Sequence, residues 1–305
     1  MLAGYHWFTD WGRDTMIAMR GLTIASGRQE ESKSILATFF RYIDKGMLPN
    51  RFPDKDEPLE YNTIDATLWL FIALYEYHQK FQDLTFIAGH FDALTDILDQ
   101  HIAGTRYNIH VTPDGFLSGG TGLAQLTWMD ARVGDFVVTP RHGCPVEIQA
   151  LWFNALRIYQ YFAGTLGKPF EQYREIAEKL QANFRKQFVR ANGALNDVVN
   201  FTDPPAADDA IRPNQIYVVS LPFSLLGKDE EKRVVDVVRE HARAHHQEAL
   251  QLLHAAKQQA QRHEDARQCE LLLLQARHDR TRTELLKAQA RLDETAAALE
   301  RERQT

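Results

Sequence analysis

The chain changes character at one point, and that break limits what either side of it can fold into. Of its 305 residues, every Trp, Tyr and Phe lies at or before Phe223, and every Gly and Pro lies at or before Gly227. Beyond Gly227 the chain is mostly Ala, Leu, Gln, Glu, Arg and His to the end. Without helix breakers that tail can run as one long helix, and without aromatics it cannot build a core of its own. The expected organisation is a folded region over 1–240 and an extended helix over 241–305.

A heptad can be laid on the tail from Leu250. One seam position reads Leu250, Lys257, Glu264, Leu271, His278, Leu285, Leu292, Leu299; the other reads Leu253, Ala260, Arg267, Leu274, Thr281, Ala288, Thr295. The second half is a fair coiled-coil seam, and the first half is interrupted by charges. The tail therefore reads as a solvated single helix, as a disordered segment, or as a coiled coil that self-associates through residues 250–299. Its histidines (His241, His245, His246, His254, His263, His278) include an i, i+4 pair. No H-E-x-x-H motif accompanies them, so no metal is expected.

The totals narrow the function classes. The chain is 44% hydrophobic and 25% charged with a net charge of −6, the ordinary range of a soluble globular protein. A mildly acidic balance with no basic stripe in the first two-thirds argues against nucleic acid. No apolar run is long enough to span a bilayer, and no signal peptide is visible at the N-terminus. Two distant cysteines, Cys144 and Cys269, make neither a disulfide framework nor a metal motif and suit a reducing cytoplasm.

Apolar periodicity predicts helices near 14–26, 30–45, 62–81, 84–103, 146–165, 169–190, 212–226 and from 229 onward. Residues 106–143, rich in Gly, Thr, Val and Pro, read as a long structured loop with room for short hairpins. The odd-numbered helices are apolar through most of their length ("TMIAMRGLTIA", "ATLWLFIALYEY", "EIQALWFNALRIY", "NQIYVVSLPFSLL"), and the even-numbered ones are amphipathic. A helix apolar all round is buried, and an amphipathic one covers it. Strict alternation of the two describes an inner ring of helices inside an outer ring, an all-α barrel; an α-solenoid would alternate similarly.

The unusual polar residues fall in the loops before the inner helices: "FTDWGRD", "NRFPDKDEPLEYNTID", "LTWMDARVGDFVVTPRHGCPVE" and "DDAIRPNQ". Four loops at one end of a barrel, each with carboxylates, Asn or Arg beside aromatics, describe one concave polar site. A pyranose suits it, with one face on an aromatic ring and its hydroxyls on bidentate polar partners. A phosphate cradle and a G-x-S-x-G nucleophile are both absent. Hydrolysis of a glycosidic bond instead needs two carboxyl groups.

These blocks, "AGYHWFTDWGRDTMIA", "GMLPNRFPD", "YNTIDATLWLF", "LTWMDARVGDFVVTPRHGCPVEIQALWFNAL" and "IRPNQIYVVSLPFSLL", resemble in order the amylo-α-1,6-glucosidase domain of glycogen debranching enzymes, a relative of the glucoamylase-like (α/α)6 barrels. The resemblance covers roughly residues 3 to 240. It implies a cofactor-free enzyme that releases glucose from α-1,6 branch points of glycogen or limit dextrin with inversion, so the expected partner is an α-glucan. It also implies that Asp130, after Thr127, Trp128 and Met129, is the general acid, and that Arg13 and Asp14 hold the terminal glucose with Trp7 or Trp11 as a wall. A flanking Trp could raise the pKa of such an acid by desolvation; a capping or ion-paired Asp130 is the rival reading.

Asp10 reads as a helix cap or a sugar ligand. Asn50, Arg51, Tyr61, Asn62 and Asp65 read as further sugar contacts, with Asp65 alternatively a cap. Trp69 reads as core. Glu147 binds substrate, orients Arg141 or caps its helix; Arg212 and Asn214 complete the rim.

The sequence departs from the family's pattern at both ends. The β-rich domain that precedes such barrels is not seen, nor are the segments after the eighth helix, including the glutamate that serves as general base. The expected fold is thus a partial (α/α)6 toroid of about eight of twelve helices followed by a long C-terminal helix, with apolar edges on the first and seventh inner helices exposed. Three functions fit this sequence: an impaired glucosidase, a glucan-binding remnant, or a coiled-coil interaction protein.

Overall fold

The structure, a computed structural model, describes residues 10–53, 57–201 and 206–303. Trp7 lies outside them, as do the side chains at tail seam positions 260, 285, 288, 292, 295 and 299. The chain divides into two compact units, residues 1–241 and 242–305.

In the first unit the apolar helices are the inner ones. Helix α1 (Gly12–Met19) runs on through a π-helical turn, Arg20–Ala25, and is succeeded by α2 (Gln29–Arg41) and α3 (Ala66–Phe81). Next come α4 (Leu84–Gly89), α5 (Phe91–Ala103), α6 (Val146–Leu166), α7 (Glu171–Phe188), α8 (Tyr217–Ser220) and α9 (Lys228–Arg303). Every residue of α3 from Ala66 to Leu74 is buried, and so is every residue of α6 from Val146 to Leu156. Two helices with no polar face can only lie inside. Around them α1 packs on α3, α3 on α6, and α6 on α8; α2 covers α3 and α7 covers α6. In α7 the buried residues Tyr173, Ala177, Leu180, Phe184 and Phe188 recur every three or four positions, a single apolar stripe. Val234, in the second turn of α9, is buried in the same core. The result is an all-α partial toroid.

Two expected helices are cut short for local reasons. The helix expected at 84–103 breaks at His90, whose backbone leaves the helical region (φ −119°, ψ 8°). Its ring stacks on Phe40 at 4.3 Å, and its Nδ1 meets the Phe86 carbonyl at 2.9 Å. The helix expected at 212–226 is a 3-10 turn, Pro213–Ile216, continued only by α8. Leu221 precedes Pro222 and turns extended (φ −80°, ψ 160°), as a residue before proline prefers. Asn154, buried in α6, then holds the irregular segment: its Nδ2 donates to the Phe223 carbonyl at 2.8 Å and its Oδ1 accepts from the Phe223 N–H at 2.9 Å.

The expected open edges are also unequal. On the first inner helix Ile17 and Leu22 are exposed, whereas the apolar residues of α8 stay buried or half-buried.

The 106–143 loop contains two short antiparallel hairpins. Strand β1 (His110–Val111) pairs with β2 (Leu117–Ser118), and β3 (Arg132–Val133) with β4 (Phe136–Val137). A three-stranded antiparallel sheet, unforeseen in the sequence, joins β5 (Cys144–Pro145) to β6 (Val198–Asn200) and β7 (Ala206–Asp208). It ties the end of that loop to the segment after α7.

His101 sits fully buried in α5, stacked on Trp152 with its Nδ1 at 2.8 Å from the Ile97 carbonyl. Burial pushes its pKa down to about 4, against the pull of that carbonyl. The folded state therefore holds a neutral imidazole, while the unfolded chain protonates near pH 6.5. This stability is accordingly fully present above pH 6.5 and is lost as pH falls toward 4, by roughly 3 kcal/mol at 1.36 kcal/mol per unit. Urea titrations of the parent chain and of His101→Phe at pH 7 and pH 4 will show a shallower pH dependence in the variant. Equal slopes for the two proteins would rule this out.

Candidate active site

The loops before the inner helices converge, and short backbone bridges draw them together. The N–H of Gly12 donates to the Asn50 carbonyl at 2.8 Å, Asn50 N–H to the Glu60 carbonyl at 2.6 Å, and Phe52 N–H to the Asp10 carbonyl at 3.0 Å. Gly12 is required here: a Cβ at that position would lie 2.2 Å from the Pro49 carbonyl oxygen. The long loop is fastened at its neck by reciprocal bonds between Gly119 and Gly143, at 3.0 and 2.9 Å. Its tip reaches the segment just before α3, where Ile64 N–H donates to the Leu126 carbonyl at 2.9 Å.

These bridges enclose an open cavity of about 420 Å³, lined by Trp11, Asn50, Asn62, Tyr107, Leu123, Ala124, Gln125, Asp130 and Arg132. Trp11, Asn50, Asn62 and Asp130 were expected from the sequence; Tyr107, Gln125 and Arg132 were not. Asn50 is 3% exposed; its Nδ2 donates to Asn62 Oδ1 at 3.1 Å and its Oδ1 has no partner. Asn50 lines the cavity as a residue, while its amide oxygen is a buried acceptor without a donor. Tyr107 stands in the left-handed region (φ 56°, ψ 31°) while its carbonyl accepts from Gly120 N–H at 2.9 Å. Gly120, at φ 123°, lies so close to the His142 ring that a Cβ would come within 2.5 Å of it.

Asp130 has a side chain 47% exposed, and its Oδ2 is 3.3 Å from Arg13 Nη1. It is thus not the desolvated, Trp-enclosed carboxyl that its sequence context suggested. Trp128 donates its Nε1–H to Asn214 Oδ1 at 2.9 Å and is itself 46% exposed.

Arg13 is the buried partner of that carboxyl. Its Nε donates to both oxygens of Asp65, at 2.9 and 2.8 Å, and its Nη2 to the Leu126 carbonyl at 3.3 Å. Burial opposes the Arg13 charge, but Asp65 and Asp130 outweigh it and hold the guanidinium pKa above its ordinary value. Asp65 stands at the N-cap of α3 yet makes no capping bond; its carboxylate goes to Arg13 instead. Burial pushes the Asp65 carboxyl up, and Arg13 pulls it down. Asp14, next in sequence, is exposed, and Arg13 pairs with Asp65 and Asp130.

A second buried ionic cluster stands behind Trp128. Arg141 meets Glu147 with both nitrogens of its fork, the Nη2–Oε2 contact being 2.7 Å, and its Nε donates to Asp197 Oδ2 at 2.9 Å. Arg212 Nη1 donates to the same Asp197 oxygen and to Asp208 Oδ2, each at 2.6 Å. Asn214 Nδ2 donates to Asp197 Oδ1 at 2.9 Å. Glu147 therefore orients Arg141; burial raises its pKa, and Arg141 opposes that rise. Asp197, fully buried, was not expected from the sequence. Its one trace is a lone acid before an apolar pair, "NDVVN".

Of the other expected contacts, Arg51 is ion-paired with Glu57 and Glu60, and Tyr61 donates to the Tyr42 carbonyl at 2.8 Å. Neither lines the cavity, and neither do Arg141, Glu147, Arg212 or Asn214. Asp10 is half-buried beside the bridge to Phe52, and Trp69 is core, 3% exposed, as expected.

A sequence model of the family described as "Amylo-alpha-1,6-glucosidase" matches residues 1–244. The glycogen debranching enzyme of Saccharomyces cerevisiae is 23% identical in a match that covers 48% of this chain and 13% of that protein. The chain thus spans about an eighth of the length of this curated relative. Among solved structures, a GH78 family rhamnosidase of Bacillus sp. GL1 superposes with a TM-score of 0.56 at 14% identity, covering 74% of this chain and 22% of its own. A rhamnosidase from Klebsiella oxytoca with rhamnose bound gives 0.51 at 13% identity, over 76% of this chain and 41% of its own. These two likenesses concern the fold.

Removing one member of a buried pair is costly, whereas replacing both by apolar groups need not be. Arg141→Met is expected to destabilise the fold by about 3–5 kcal/mol, and Arg141→Met/Glu147→Leu to recover a large part of that loss. Denaturant midpoints of the three proteins test the pattern; a double variant no better than the single would contradict it.

Proposed function

Because the chain belongs to the amylo-α-1,6-glucosidase family, we propose that its cavity is a glycoside-hydrolase site for the terminal glucose at an α-1,6 branch, with Asp130 as proton donor. The observation that carries this reading is the juxtaposition of Asp130 with Asn50, Asn62 and the Trp11 wall around one cavity. In this reading the pyranose lies against Trp11, its hydroxyls donate to Asn50 and bond to Asn62, and Asp130 protonates the departing glycosidic oxygen. Arg13, fixed by Asp65, stabilises the carboxylate that proton donation leaves on Asp130.

Inverting hydrolysis also needs a second carboxylate, roughly 6.5–9.5 Å from the acid, to activate water. Asp130 is the one carboxylate among the described lining residues. Asp65, Glu147 and Asp197 are each held by arginine. The proposal is accordingly that this polypeptide by itself binds α-glucan and turns it over slowly. A glucan-binding remnant is the limiting case of the same site.

The test combines calorimetric titration with phosphorylase limit dextrin and an assay of glucose release, on the parent chain, Asp130→Asn and Asn50→Ala. Dextrin binding by the parent is expected, about tenfold weaker in Asn50→Ala, as for a lost hydrogen bond in a buried site. Any glucose release should fall by about 10²–10⁴-fold in Asp130→Asn. No dextrin binding by the folded parent, or release indifferent to Asp130→Asn, would sink the proposal.

A further inference from the structure

From Ala242 to Arg303 the chain is helix α9 alone, and the seam leucines whose side chains are described have no cover among the described residues. Leu250, Leu253, Leu271 and Leu274 are each more than half exposed, at 52, 53, 55 and 54%. They occupy the two seam positions of one heptad frame, so they share one face of the helix. Leu271 and Leu274 form the dense part of that face. A second copy of the same face could cover it, and the charges along the seam decide how that copy lies.

A parallel, in-register pair sets each seam residue against its own twin. Lys257 would meet Lys257 of the other copy, Glu264 would meet Glu264, and Arg267 would meet Arg267, all inside the seam. At the flanks, the position before each first seam residue lies near the one five residues further on in the partner. That places Arg277 beside Arg282 of the second copy, twice by symmetry. Like charges directly opposed destabilise.

Turning the second copy end for end removes these clashes. With the two-fold axis between residues 272 and 273, Leu271 of each chain faces Leu274 of the other. Glu264 faces Thr281. At the flanks, which now face their own kind, Glu270 lies beside Arg277 of the other copy, again twice. Glu270, Arg277, Arg282 and Glu264 are all exposed, without an ion pair among the described residues of the single chain. We propose that the 250–299 helix pairs with a second copy of this chain as an antiparallel two-stranded coiled coil centred on the leucine run 271–274.

Because Arg277 meets Glu270 in one arrangement and Arg282 in the other, a single charge reversal has opposite effects in the two. The full chain, Arg277→Glu, and Arg277→Glu/Glu270→Arg are compared by light scattering and sedimentation over a concentration series. For the antiparallel pair, Arg277→Glu weakens dimerisation by about tenfold, and the second reversal restores it; two symmetry-related flank pairs change sign. For a parallel pair, Arg277→Glu strengthens it. Orientation is then read from a spin label on Gln251→Cys in a Cys269→Ser background. At 1.5 Å rise per residue the two labels lie about 65 Å apart in the antiparallel pair and within about 25 Å in a parallel one.

A chain that stays monomeric at high micromolar concentration overturns the proposal. So does a dimer indifferent to Arg277→Glu, which would associate through another surface, and so does a short label distance.

Discussion

Arg13 is the residue through which the first helix, the third helix and the long loop become one site. Its guanidinium reaches Asp65 at the head of α3, the Leu126 carbonyl and Asp130 in the loop, while its own backbone begins α1. Three segments far apart in sequence are fixed by one planar fork, which lysine could not replace because a single ammonium lacks that geometry. Asp65 is the partner that makes burial of the charge tolerable, and Asp130, half in solvent, takes the remaining arm. The fork does not itself line the cavity, but it holds Asp130, which does.

The Arg141 cluster performs the same service from behind. Asp197 accepts from Arg141, Arg212 and Asn214, and Asn214 in turn holds Trp128, two residues from Asp130. The small sheet of β5, β6 and β7 delivers Asp197 to this point, since Val146 at the head of α6 donates its N–H to the Asp197 carbonyl at 2.8 Å. Polar residues that resemble substrate ligands in sequence are thus divided into two kinds. Asn50, Asn62 and Asp130 face the cavity, and Arg141, Glu147 and Arg212 support the loops that form it.

Much of the architecture was legible because burial leaves a strong periodic signal. Helices α3 and α6 have no polar face, and nothing but an interior position accommodates that. The breaks at His90 and Leu221 were less legible, since the first depends on an aromatic stack with Phe40 that no local rule reveals, although Pro222 announces the second. Residue type pointed to the loops that meet at the cavity but could not divide the residues that line it from those that brace it. Arg13 beside Asp14 read as a pair, yet neighbours on a helix point in different directions, and the partner of Arg13 lies 52 positions away. Tyr107 and Gln125 line the cavity only because the long loop folds back, a long-range event without a local signature.

That loop also holds two consecutive residues, Tyr107 and Asn108, in the left-handed region, at φ 56° and 57°. Each is a conformation that an L-residue adopts at a cost of order 1 kcal/mol. The bond from Gly120 and the neck at Gly119 and Gly143 hold this turn in the cavity wall. A molecule that bound at Tyr107 only in this loop shape would stabilise the turn by its own difference in affinity for the two shapes.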